Sequence, residues 1–216
     1  MENKRIVKKI SELKIIPVLV LNNKEAAKPL ADVLIQENLP CAEVTFRTEQ
    51  TIDIISQLKK TAPSLLVGAG TVLTCEQAQR AVDAGAEFVV SPGFEKTLIE
   101  YCIKNNIFII PGVATASEIQ GALSLGLSVL KFFPAVELGG PKMIQALSAP
   151  FKTVRFVPTG GIKKENIMDF LALPSVLACG GSWLVKKDLV ENLQFEAIAA
   201  LVREAVSLVQ TQAQLQ

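Results

Sequence analysis

The chain has 216 residues, of which 50% are hydrophobic and 20% charged, enough apolar material for one sizeable domain. Its 22 basic and 21 acidic residues leave a formal net charge of +1, so no long-range field gathers nucleic acid or anionic lipid. Histidine is absent, which excludes a Ser–His or Cys–His nucleophile and the usual histidine-ligated metal site; acid–base chemistry falls to Glu, Asp, Lys, Tyr or Cys.

Residues 1–14 set Ile6, Ile10 and Leu13 at helical spacing among Lys4, Arg5, Lys8 and Lys9. That predicts an extra N-terminal amphipathic helix with a wet basic face, not a binding patch. The start MENKRIVKKI has no apolar run of a signal peptide, and no stretch approaches the ~20 apolar residues of a membrane span. The expectation is a cytoplasmic protein with neither membrane nor nucleic acid as partner.

Short apolar runs then recur: IIPVLV (15–20), CAEVT (41–45), LLVGAG (65–70), FVVSPG (88–93), FIIPGV (108–113), VLKFFPA (129–135), RFVPTGG (155–161) and VLACGGS (176–182). They are short and rich in Val and Ile, which predicts strands. The segments between them show helical spacing, as at Ile52, Ile55 and Leu58, or Ala78 and Val82. Helix starts follow from Thr74 with Gln77, Thr115 with Glu118, and Pro141 as a first helical residue; Gly85 and Gly126 mark stops. Pro29 falls inside a helix predicted over 23–37 and should kink or break it. Cys41, Cys75, Cys102 and Cys179 are far apart with no CxxC pair, so they read as small buried hydrophobes, not zinc ligands or disulfides.

Eight strands alternating with helices imply parallel pairing. A doubly wound open sheet is one solution; a closed (β/α)8 TIM barrel fits the count better. No linker divides the chain, so the expected organisation is a single domain over 1–216. Its 1–14 helix would close one end, and 211–216 would form a frayed tail.

In such a barrel the chemistry gathers at the carboxyl ends of the strands. Alternation puts Glu43, Thr45 and Arg47 on one face, and Lys131 and Phe133 on another, with Leu130 and Phe132 turned towards the helices. An inward Lys131 and an inward Glu43 would then face one cavity. A free lysine is neutral about once in 2,500 molecules at pH 7. Burial disfavours a charged amine and a neighbouring carboxylate favours it, and the sequence does not decide between them. A neutral lysine attacks ketones to give Schiff bases; the alternative is a structural Lys–Glu ion pair.

Thr159-Gly160-Gly161 and Gly180-Gly181-Ser182 follow the last two strands, where glycine loops commonly hold phosphate, although they also serve as ordinary turns. GAGTVL (68–73) lacks the third glycine of a dinucleotide fingerprint and follows the wrong strand. Arg47 can clamp a carboxylate in bidentate fashion beside a hydroxyl from Thr71, or stand as a surface arginine.

The motifs EVTFRT (43–48), VGAGTVL (67–73), SPG (91–93), IPGVAT (110–115), LKFFPA (130–135), PTGGI (158–162) and GGSW (180–183) together resemble the 2-keto-3-deoxy-6-phosphogluconate (KDPG) and 4-hydroxy-2-oxoglutarate (KHG) aldolase family. The resemblance implies a cytoplasmic, trimeric class I aldolase with no metal or cofactor. Its substrate is a keto-acid sugar phosphate, cleaved to pyruvate and glyceraldehyde 3-phosphate. It implies Lys131 as the Schiff-base residue, Glu43 as general acid–base, Arg47 and Thr71 on the pyruvyl carboxylate, and Gly160, Gly161, Gly181 and Ser182 on the phosphate. Phe133 and Thr159 take wall positions, and Pro92 the loop after the fourth strand. Many members carry Glu directly after FPA, where Val136 stands here. The same residues also admit an isomerase or epimerase of sugar phosphates, which forms no imine, or a non-catalytic phosphate-ligand binding protein.

Overall fold

The computed structural model describes residues 2–213. Helix α1 (Glu2–Leu13) precedes strands β1 (Ile15–Leu19), β2 (Cys41–Thr45), β3 (Leu66–Gly70), β4 (Phe88–Val90), β5 (Ile109–Ile110), β6 (Gly112–Val113), β7 (Val129–Phe132), β8 (Arg155–Pro158) and β9 (Cys179–Gly181). Between and after them lie α2 (Ala27–Gln36), α3 (Thr51–Thr61), α4 (Cys75–Asp83), α5 (Lys96–Lys104), α6 (Ala116–Ser124), α7 (Gly140–Ser148), α8 (Ile167–Leu171), α9 (Lys187–Glu191) and α10 (Phe195–Ala213).

The expected closed eight-stranded TIM barrel is not what forms. The strands make a curled six-stranded parallel sheet, ordered β5-β4-β3-β2-β1-β9, and a separate three-stranded parallel sheet, β6-β7-β8. Two features break the ladder. Pro111 interrupts the fifth apolar run and has no N–H to donate, so that run splits into β5 and β6. At the other seam only the isolated pairs Phe156–Val176 and Thr159–Gly180 link β8 to the β9 segment. The result is a curled α/β fold in two sheets.

Alternation along the strands sorts side chains into two cores. Ile15, Leu19, Ala42, Val44, Val67, Val89, Leu130, Phe132 and Phe156 pack against the outer helices. Ile16, Cys41, Leu66, Phe88, Val90, Ile110 and Val157 fill the inside of the curl, joined by Ile6 and Ile10 of α1. Helix α1 therefore closes the amino end of the strands. The Arg5 guanidinium donates to Glu87, and Lys9 Nζ donates to the Ser64 carbonyl at 3.0 Å. The carboxyl end is left open for polar side chains.

Local signals place the helix ends. Thr115 and Glu118 form a reciprocal capping box, and the Thr74 hydroxyl accepts from Gln77 N. Gly85 and Gly126, at φ +104° and +80°, follow the ends of α4 and α6. Pro29 causes no kink: a 3-10 turn over Lys24–Ala26 comes first, and α2 starts at Ala27. Proline then falls in the first helical turn, where N–H groups lack intrahelical partners. The expected frayed tail overlaps the end of α10; residues 214–216 lie outside the described residues.

Candidate active site

Strands β2 and β7 carry the buried charges. Glu43 pairs in register with Val18 and Gly68, and Lys131 with Gly112 and Val157. Lys131 Nζ lies 3.6 Å from Glu43 Oε1, with side chains only 7% and 3% exposed. That separation is an ion-pair contact but too long for a normal hydrogen bond. Glu43 Oε1 has no hydrogen-bond partner among the described residues, leaving a buried acceptor available to a donor from outside the protein. The amine also lies 5.2 Å from the Phe133 ring centroid, within cation–π range.

Gly70 makes room for the carboxylate. A Cβ there would fall 2.1 Å from Glu43 Oε1 and 2.7 Å from its Cδ. Thr71 follows in the left-handed region at φ +56°. Cys41 lies two residues before Glu43 on the same face; burial pushes its thiol up to about 12, so no thiolate competes as nucleophile or base. Burial likewise pushes Cys102 up to about 12, and Cys75 is the partly exposed thiol among four free cysteines.

Arg47 projects from the loop between β2 and α3, exposed and with no side-chain hydrogen bond or ion pair among the described residues. Threonines pin that loop. Thr51 Oγ1 donates to the Thr45 and Thr48 carbonyls at 2.8 and 2.9 Å, and Thr48 Oγ1 to the Leu21 carbonyl at 2.8 Å. Phe46 N bonds Gly70 O at 2.8 Å, tying the loop to β3.

A cavity of about 500 Å³ opens at this end. Arg47, Phe133, Thr159, Gly160, Gly161, Gly181 and Ser182 line it. Lys131 and Glu43 do not; both are buried, and Lys131 reaches the wall only through the ring of Phe133, which its amine overlies. Thr71 is also not on the wall, and Pro92 lines a separate cavity of about 220 Å³ with Val72 and Leu73. Gly160 and Gly161 adopt φ +99° and +70°. A Cβ on Gly161 would meet Val136 Cβ at 2.6 Å, so the residue standing in place of Glu abuts this loop. The N–H groups of Gly160, Gly161 and Ser182 donate to no backbone acceptor among the described residues. Helices α8 and α9 begin too far along to supply those donors.

Among the wall residues to which sequence reasoning gave no role are Trp183, Lys186 and Lys187. The Trp183 ring lies over Gly181, where a Cβ would come within 1.6 Å of it. A Lys-Lys pair just beyond the last glycine loop was the available signal. Among the described residues no group of three carboxylates or thiols is placed to hold a metal, and no helix is long and apolar enough to cross a membrane.

Known proteins resemble this chain over most of its length. A family model described as KDPG and KHG aldolase matches residues 6–201. The 2-dehydro-3-deoxy-phosphogluconate aldolase of Haemophilus influenzae is 45% identical over 205 residues, covering 95% of this chain and 97% of the relative. The KHG/KDPG aldolase of Escherichia coli K12 is 44% identical over 192 residues, covering 89% and 90%. A KDPG aldolase from Legionella pneumophila, solved with pyruvate captured as a covalent carbinolamine, superposes with a TM-score of 0.89 at 39% identity, covering 92% of this chain and 97% of that one.

Proposed function

We propose, because this chain belongs to the KDPG and KHG aldolase family, that Lys131 and Glu43 carry out its Schiff-base chemistry. The protein is a carbon–carbon lyase of class I. It cleaves 2-dehydro-3-deoxy-6-phosphogluconate to pyruvate and glyceraldehyde 3-phosphate, and 4-hydroxy-2-oxoglutarate to pyruvate and glyoxylate. The observation that carries the residue assignment is the buried Lys131 amine 3.6 Å from a Glu43 oxygen that lacks a hydrogen bond. A purely structural pair would gain by closing to hydrogen-bond distance and satisfying that oxygen. An acceptor left open at this burial is poised for a group the substrate brings.

The Lys131 amine attacks the C2 ketone through its lone pair; the carbinolamine takes up one proton and loses water to give an iminium, which is the electron sink, and that proton is returned when the iminium is hydrolysed. Glu43 takes the proton of the C4 hydroxyl, the C3–C4 electron pair flows into the iminium, and the aldehyde leaves. The enamine takes the proton back at C3 from Glu43, and one water restores the amine and frees pyruvate. Arg47, with Thr71, holds the carboxylate so that the ketone meets the amine. The unpaired N–H groups of the glycine loops, with Ser182, bind the distal phosphate and contribute binding energy remote from the reacting bond. Phe133 and Thr159 shape the wall between, and the Pro92 loop supports the strand ends from outside the cavity. The family likeness also supports a homotrimer working in the cytoplasm.

Pyruvate with borohydride tests the assignment. One pyruvate-derived mass increment should appear on Lys131 in the native protein and vanish, with turnover, in Lys131→Ala. Near-normal turnover by that variant refutes the lysine role.

A further inference from the structure

The chain as a whole is nearly neutral, yet its cavity wall is not. The charged residues on the wall are Arg47, Lys186 and Lys187, all cationic, with no carboxylate among them. This local excess stands against a formal net charge of +1 for all 216 residues. Walls of one sign focus the field and raise the local concentration of an oppositely charged ligand. The Lys186 side chain has no ion pair or hydrogen bond among the described residues. Lys187 has only an exposed (i, i+4) contact with Glu191 at 3.6 Å, a pair that is cheap to exchange.

The glycine loops offer a phosphate dipoles but no charge. A phosphate monoester carries about −1.5 to −2 at pH 7, and under the proposed function Arg47 is already engaged by the other end of the substrate. The counter-charge available on the wall is therefore the lysine pair. We infer that Lys186 and Lys187 recruit the distal phosphate and set the preference of this enzyme for a phosphorylated over an unphosphorylated 4-hydroxy-2-keto acid. The unphosphorylated substrate ends in a carboxylate that stops short of the phosphorus position, so it gains less from charges seated beyond the glycine loops. The inference rests on the aldolase reading and extends it to two residues that reading does not use.

The test compares kcat/KM for 2-dehydro-3-deoxy-6-phosphogluconate and for 4-hydroxy-2-oxoglutarate, across a range of salt. It uses the native protein, the double variant Lys186→Gln with Lys187→Gln, and the double variant Lys186→Arg with Lys187→Arg. The Gln pair should lower the ratio of the two kcat/KM values about tenfold, mainly through KM of the phosphorylated substrate, and flatten its salt dependence. The Arg pair, which keeps the charge, should retain most of the ratio and its salt slope. Equal losses on both substrates, or an unchanged ratio, overturn the inference. Borohydride trapping of pyruvate on the same samples separates the causes: an adduct on Lys131 with an unchanged ratio leaves the aldolase standing without the lysine rim. No adduct and no turnover in the native protein removes both.

Discussion

Glu43 owes its position to a residue with no side chain. Gly70 leaves the space its carboxylate occupies, so Gly70→Ala, with a Cβ 2.1 Å from Oε1, must displace the carboxylate from its seat beside Lys131. Cleavage should then slow about 100-fold, the scale of a 1 Å misplacement, while borohydride still traps pyruvate on Lys131. Glu43→Gln should cost roughly 10²–10⁴ in kcat and likewise leave imine formation measurable by mass. Unimpaired cleavage in Gly70→Ala would show that the carboxylate seat is not needed. Lys131 and Glu43 were legible in the sequence because charged residues inside apolar strands are anomalous by burial alone. The role of Gly70 was not, because which side chain overhangs a glycine depends on cross-strand register. Nor was the position of Pro92 outside the main cavity, since a motif fixes order along the chain and not the direction in which a loop opens.

Among the elements, the turn between β2 and α3 decides how firmly Arg47 is held. Its anchor, Thr51, is 1% exposed and donates to two carbonyls. Thr51→Val removes that donor; the Thr45 carbonyl keeps its bond from Arg47 N, while the Thr48 carbonyl loses its side-chain partner, a net loss of about 1 kcal/mol. The expected outcome is a KM raised about tenfold with kcat less affected, and recovery in Thr51→Ser, which keeps the hydroxyl. A loss of kcat alone in steady-state assays would argue against carboxylate positioning. The elements themselves were mostly readable. The capping pair at Thr115 and Glu118 and the stops at Gly85 and Gly126 are local chemistry and appear where the sequence puts them. Closure of the strands into one ring was not readable. It depended on hydrogen bonds across Pro111 and across the β8–β9 seam, and such pairing between distant segments leaves no periodic trace.

At the scale of the molecule, α1 is bound across the closed end of the curl through Glu87, which accepts from Arg5 and, at 2.7 Å, from Lys59. Burial alone would raise the Glu87 carboxyl, but hydrogen bonds from Lys59 and Arg5 outweigh it and hold the group below its ordinary value of 4.5. A depressed carboxyl contributes stability that is complete above its unfolded value and is lost as pH falls through the folded one. Native Tm should therefore exceed that of Glu87→Gln at pH about 6, and the gap should narrow only once pH falls below the ordinary value of 4.5 and through the depressed folded one, as thermal melts at falling pH would record. Family membership was legible in seven ordered motifs; the cationic rim was not, because it forms only when chain beyond the last strand folds back beside the cavity. The wall holds one more consequence. Trp183 is the single tryptophan of the chain and lines the cavity. All indole emission of the chain therefore originates at the wall of this cavity, so excitation selective for tryptophan allows a label-free titration of whatever fills it.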